Sequence, residues 1–531
     1  MRTSILITLI IASLLAFLYY SNQLEREIYK EEIALAECEQ QFPIVIPRKF
    51  THSNKHYAKV NYYNYGKSID LGNLDIAGLP DNLFEKSNCI QKVIINNNHI
   101  KTLPKAIKSI KNLKELYAFE NKIYTIPSDF FSDFSSLSEV NLSRNKLKKF
   151  NIKDATIGEL NLNSNQLEYF NTQNITINHL DLAVNYLRTF PKGILNIKNL
   201  YSLDLRNNQL NDFSSIENDT LLLQSSLNEL NLSYNPIIAF PTELRLLPSL
   251  SKIDFSSCKI EGTVEIDGFK GLNILNINFQ KVKTLLLKEN HLAVIDLSNN
   301  QISNIVIEGA EAGMKLIVLN LSNNSLKNIP ASFRHLSSLQ RLNLNATQLI
   351  DVSKAFENLP ARFSLEHLHL AFNRLQKYPN LAKYSKLRNI DLSQNQFKKL
   401  PNPALISNYL LKKVNLSHNL ITEFDINAIN SSIEVLSLKG NSITKITSRG
   451  AIHESIRSNL IKLDLSYNLE LEDFDISYLE LLPNLQELNL YSTNIKDINR
   501  ILIEQYCESN DIKVYFDDKE ASDNFFKNDL F

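Results

Sequence analysis

The stretch Leu200-Tyr201-Ser202-Leu203-Asp204-Leu205-Arg206-Asn207-Asn208-Gln209-Leu210 decides the fold. Its centre alternates apolar and polar residues with period two, as a strand with one buried face does. Asn208 ends the alternation where the chain must turn. Its side-chain amide can pair backbone groups there that burial would otherwise orphan. So short a strand cannot cover its own leucines and requires neighbours of the same kind.

The neighbours are present. The pattern L-x-x-L-x-L-x-x-N-x-L recurs at Leu137 to Leu147, Ile157 to Leu167, Ile177 to Leu187, Leu227 to Ile237, Leu292 to Ile302 and onward to Ile433 to Ile443. Counted by the asparagine position there are eighteen copies between 98 and 493, with a mean period of about 23 residues. Fourteen of these positions are asparagine; the others are Cys258, Gln280, Thr347 and Thr493, and Cys258 reads as a buried thiol rather than a nucleophile. Intervals of 20 residues (145 to 165, 165 to 185, 280 to 300) are too short for a full return helix and imply extended or tightly turned returns. Intervals of 27 residues surround Ser214 to Ser226 and Thr444 to Asn459, where extra length should project as loops or helices.

The pattern resembles the leucine-rich-repeat family over about four-fifths of the chain. The resemblance implies an α/β solenoid, a leucine-rich-repeat horseshoe with a parallel concave sheet of about 18 repeats. It also implies recognition of another macromolecule rather than catalysis. The cysteine-rich caps of many extracellular members of that family are missing.

Outside the repeats the chain divides as follows. Residues 1–21 contain the apolar run SILITLIIASLLAFLYY after Arg2, which reads as a signal anchor or transmembrane helix. Tyr19 and Tyr20 suit a membrane interface, and no small-x-small cleavage pair follows at a usable distance. Residues 22–40 read as a charged juxtamembrane helix, 41–89 as an N-terminal cap, 90–496 as the solenoid, and 497–531 as a C-terminal cap and tail. The expected location is a membrane, single-pass, with the repeats extracytoplasmic, or secreted if the segment is cleaved. A cytoplasm-facing scaffold with the anchor reversed is the alternative. Of the four cysteines, Cys38 and Cys89 could pair in an oxidising compartment.

Composition excludes little but points one way. Lysine plus arginine equals aspartate plus glutamate, 57 each, so the basic excess of a nucleic-acid binder is missing. His453-Glu454-Ser455-Ile456-Arg457 fails H-E-x-x-H at its last position. Gly66-Lys67-Ser68 lacks the upstream glycine of a phosphate loop. The reading is therefore not an enzyme, with no cofactor, no metal and no nucleic acid, and with a protein or glycan as partner.

Binding must come from outward strand positions. The column four residues before each asparagine is mostly Asn or Asp, a common feature of the resembled family and not a site. Departures carry more information. Tyr117 and Phe119 share an outward face beside Ile94. Arg341, His367 and His369, with Phe372 just beyond, form a second outward patch; a third metal ligand is not apparent there. Acidic residues including Glu115, Glu139 and Glu159 run along the N-terminal half and could steer a basic partner.

Overall fold

Why the repeat folds is visible in one copy. Ser202–Asp204 forms the strand. Leu203 and Leu205 turn inward at 2% and 0% exposure. Asn208 follows and stitches the turn: its Nδ2 donates to Leu205 O and to Leu182 O of the preceding copy, both at 3.0 Å. Its Oδ1 accepts the Leu187 N–H at 3.0 Å. The same triple bonding recurs at Asn145, Asn300 and Asn419. Where asparagine is replaced, part of the bonding survives. Gln280 accepts Ile260 N–H and donates to Phe255 O, while Thr347 and Thr493 each donate to the carbonyl three residues back.

The computed structural model describes residues 45–46, 48–51, 58–59, 61–63, 67–85, 89–191, 193–216, 225–288, 291–308, 315–359, 364–401, 409–428, 431–448 and 458–517. The expected anchor (1–21), the juxtamembrane stretch (22–40) and Cys38 lie outside these residues, as do 217–224 and 449–457 within the longest intervals. Among the described residues no helix is long and apolar enough to cross a membrane.

The chain forms two compact units: residues 1–236 with 246–250, and residues 237–245 with 251–531. In the first, Ser68–Asp70, Lys92–Ile94, Glu115–Tyr117, Leu137–Asn141, Thr156–Asn161, Thr176–Asp181, Ser202–Asp204 and Glu229–Asn231 pair in parallel, in chain order. Asn61–Tyr63 adds antiparallel to Ser68–Asp70 at the start. In the second, the parallel ladder runs from Lys252–Asp254 through Arg341–Asn343, His367–His369 and Asn389–Asp391 to Lys513–Tyr515. Each unit is thus a parallel-sheet solenoid.

Repeat length limits the return path. The 20-residue intervals return as strands: Lys149–Lys153 pairs with Tyr169–Gln173, and Lys281–Lys288 pairs with both Glu261–Ile266 and Asn304–Glu308. A strand covers about 3.3 Å per residue against about 2.0 Å for a 3-10 turn, so a short repeat closes only when extended. Some longer repeats also return as strands, as at Glu261–Ile266, Asn304–Glu308 and Lys445–Thr447, and others use 3-10 turns, Lys105–Ser109 and Ala331–His335, or the short helix Ser353–Asn358. The solenoid is therefore poorer in α-helix than an α/β class suggests. Its longest helix among the described residues, Asp497–Ser509, buries Ile503 and Cys507. Burial raises the Cys507 thiol to about 11, so it stays protonated and unreactive.

Backbone conformation marks each turn. The residue before every one of the eighteen asparagine-ladder positions has positive φ, from Asn97 (51°) to Ser492 (55°). Only one of them is glycine. At Gly440 a Cβ would lie 2.5 Å from His418 Nδ1, so the histidine ring beside it leaves no room for a side chain.

Candidate functional site

The outward column proves to be structural at most positions. Asn141, Asp204, Asn231, Asp296 and Asn415 each accept, through Oδ1, the backbone N–H two residues on, at 2.9–3.1 Å. These side chains cap strand ends. A functional residue in this column must break the rule, and Ile94, Tyr117 and His369 do.

In the first unit the two aromatic residues expected to stand exposed do not. Tyr117 and Phe119 are both half-buried. The Tyr117 hydroxyl lies 2.6 Å from Glu139 Oε2 and 3.1 Å from Glu115 Oε2. A phenol has one proton to give, and the shorter contact takes it. Lys92 Nζ reaches Glu115 Oε2 at 2.7 Å and lies 4.5 Å from the Tyr117 ring centre. Burial first, and then the hydrogen bond to Glu139, push the Tyr117 pKa well above the usual phenol value. Parallel register explains the arrangement. Glu115, Glu139 and Glu159 are stacked on adjacent strands. Like charges at strand spacing repel, and the Tyr117 proton and the Lys92 ammonium relieve them. Tyr117 is held in this network rather than presented as a free anchor.

In the second unit the sequence-selected residues do come together. Register places Arg341 beside His367 and Asn343 beside His369, with Asn389 and Asp391 on the next strand. Arg341, His367 and His369 line one pocket of about 380 Å³ with Val318, Asn320, Asn343, Asn389 and Lys413. Asn389 Nδ2 donates to His367 Nδ1 at 3.1 Å, which leaves the ring proton of neutral His367 on Nε2. Burial, then His367 and Arg341, lower His369 to about 4. Burial and Arg341 also lower His367. The ring of His369 is therefore neutral at pH 7. Among the described residues no group of three His, Cys, Asp or Glu side chains gathers to hold a metal.

At His369 a neighbour supplies the cap of the column. Asn345 of the preceding repeat accepts the Ala371 N–H at 2.7 Å. The strand end stays satisfied without an acid or amide at 369.

Phe372 is not part of that pocket lining. It sits just before the ladder residue Asn373, with φ 56° and 62% exposure. Tyr234 and Phe279 occupy the same turn position and are about as exposed, at 61% and 60%. Sequence reasoning missed both, although the signal was present: a large aromatic immediately before the ladder position. Left-handed backbone disfavours residues with a Cβ by about 1–2 kcal/mol. We expect Phe372→Gly to raise stability by up to about 1 kcal/mol in urea unfolding, the entropy cost of glycine offsetting part of the relief. A net loss above about 1 kcal/mol would show that the exposed ring packs on the fold.

Comparison with known proteins fits this geometry. The family model described as "Leucine rich repeat" matches residues 290–349. Lumican of Coturnix japonica is 29% identical over 336 residues, covering 61% of this chain and 82% of lumican. Podocan-like protein 1 of Mus musculus is 26% identical over 457 residues, 76% of this chain and 80% of its own. A solved LRR protein of Leptospira interrogans superposes with a TM-score of 0.53 at 22% identity, covering 84% of this chain and 95% of that one. The chain has the leucine-rich-repeat fold. Within that fold, the ladder asparagines and strand-end caps of this leucine-rich-repeat chain are scaffold, and the residues that depart from them are where specificity can reside.

Proposed function

We infer that this leucine-rich-repeat protein is a recognition protein, tethered to a membrane by residues 1–21, that holds a protein partner on the exposed face of its parallel sheet. The observation that carries the reading is the exchange at His369: a column occupied at most positions by strand caps yields this one to a pocket, and Asn345 supplies the cap. A half-buried imidazole in a polar pocket is the kind of group that fixes a ligand's orientation.

An extracytoplasmic location is supported by the cysteines. Cys89 is disulfide-bonded, whereas Cys258 and Cys507 are buried thiols. Disulfides persist in oxidising compartments and are rare where glutathione keeps thiols reduced. Protease treatment of intact cells should therefore cleave the repeats. Protection of the repeats, with cleavage only after lysis, would reverse the orientation.

Proximity labelling with the full chain in its membrane tests the site. The variant His367→Ala/His369→Ala should lose the main labelled partner at least tenfold, with folding checked by unchanged urea unfolding. Tyr117→Phe, which removes the proton between stacked carboxylates, should alter labelling only if the first unit also contributes. A partner set unchanged by the double histidine variant would reject the pocket as the recognition site.

A further inference from the structure

The pocket is chemically one-sided. Asn320 Oδ1 accepts the Ser322 N–H at 3.2 Å, and Asn343 Oδ1 accepts the Asn345 N–H at 3.0 Å. With each oxygen committed to the backbone, each amide must present its Nδ2 donors instead. Neither Nδ2 finds an acceptor among the described residues. Neutral His367, its Nδ1 occupied by Asn389, adds an Nε2 donor. Arg341 is exposed and forms no ion pair with a described carboxylate. Other cations further along the sheet differ: Arg388 pairs with Glu366, Lys412 with Glu434 and Lys462 with Glu487.

We propose that this pocket binds a single carboxylate of a peptide ligand, gripped by the Arg341 guanidinium and flanked by the Asn320 and Asn343 amides. The proposal rests on the recognition reading above and gives it a ligand chemistry. A carboxylate only accepts hydrogen bonds, and the pocket mostly donates them. A guanidinium fork matches its two oxygens. A volume of about 380 Å³ suits one side chain or one chain end. A sulfated polysaccharide fits less well, because it needs a continuous basic track. Here the cations beyond Arg341 alternate with Glu366, Glu434 and Glu487, and the whole chain has zero net charge.

Saturation-transfer NMR on the full chain separates the possibilities with four probes. Acetyl-Phe-Glu-Phe-amide carries a side-chain carboxylate, acetyl-Phe-Gln-Phe as the free acid carries a terminal one, acetyl-Phe-Gln-Phe-amide carries none, and a heparin tetrasaccharide carries sulfates. One of the two carboxylate peptides should bind, identifying the source, and the uncharged peptide should not. Arg341→Ala should weaken that binding at least tenfold, and Arg341→Lys should restore part of it. Binding of neither carboxylate peptide, binding indifferent to Arg341, or preference for heparin would each overturn the proposal. The two readings fail separately. If His367→Ala/His369→Ala abolishes partner labelling while Arg341→Ala leaves it intact, recognition stands and the carboxylate does not.

Discussion

Replacing Asn395 with leucine should destabilise the second unit by about 3–6 kcal/mol in urea unfolding. The side chain is 7% exposed. Its Nδ2 donates to Leu370 O at 2.9 Å, to Leu392 O at 3.1 Å and to Ser393 O at 3.0 Å, and its Oδ1 accepts the Leu375 N–H at 3.0 Å. Leucine has nearly the same shape and can make none of these bonds. The Leu375 N–H loses its acceptor, at about 1–3 kcal/mol, while each of the three carbonyls keeps a second bond, from Asn373 Nδ2, Asn419 Nδ2 and the Phe372 N–H, and loses about 0.5–1 kcal/mol. The bonds to Leu370 and Leu375 join this repeat to the one before it, so the loss falls on the interface that makes a solenoid cooperative. A lower urea m-value, reporting a split transition, should accompany the lower midpoint. Two controls bracket the effect. Lys398→Ala, on the exposed surface, should change stability by no more than about 0.5 kcal/mol. Thr347→Asn should cost under about 1 kcal/mol, because the ladder already tolerates a departure there: Asn373 Oδ1 accepts both the Thr347 and the Leu349 N–H. If Asn395→Leu matched Lys398→Ala, the ladder would not be what binds repeat to repeat.

That ladder was legible in the sequence because its chemistry is local and periodic. An asparagine three residues after a buried leucine carries the same bonds wherever it occurs, so Asn208 and Asn419 could be assigned from spacing alone. The extended returns at Lys149–Lys153 and Tyr169–Gln173 followed from repeat length for the same reason. The candidate sites were less legible, because they depend on what lies across the sheet. Tyr117 has an outward position in any reading of the pattern. That Glu115 and Glu139 would sit on either side of its hydroxyl depends on register between strands 22 residues apart in sequence. Spacing alone showed His367 and His369 on one face. It did not show that Asn345 would supply the cap at His369, or that Asn320 and Asn343 would both offer their Nδ2 groups beside Arg341. Nor does hydrophobic periodicity encode the left-handed turn that lifts Phe279 and Phe372 into solvent. It belongs to the turn and not to the strand.

The opposite sign of effect is expected at Asp464, where the cap column carries a charge it does not need. Asp464 is 1% exposed and its Oδ1 accepts the Ser466 N–H at 3.0 Å and the Ser466 hydroxyl at 2.7 Å. Two strands away Asn415, and one strand away Asn489, perform the same cap with a neutral amide. Burial raises the Asp464 carboxyl to about 6; the bonds from Ser466 and the charge of Lys439 only partly oppose it. A carboxyl whose pKa is higher folded than unfolded holds more protons in the native state. Stability is then greatest below the ordinary value near 3.8 and is lost as pH rises through about 6. At pH 7.5 the folded protein carries the cost of a buried, ionised carboxylate, about 3 kcal/mol for a shift of about two units. Asp464→Asn keeps the accepting oxygen and removes the charge. It should raise the unfolding free energy by about 1–3 kcal/mol at pH 7.5, the lower end applying if the new Nδ2 donors find no acceptor. The gain should shrink through pH 6 and disappear by about pH 4. His369, lowered to about 4, also makes the native state pH-sensitive, in the range between its folded value and the ordinary imidazole value. That contribution is common to both proteins and cancels in their difference. Urea unfolding of the pair across pH 4–8 checks the sign. A variant less stable than the parent at pH 7.5, or a difference that does not change with pH, would mean that the Asp464 charge is compensated in place and that the carboxylate belongs to the scaffold.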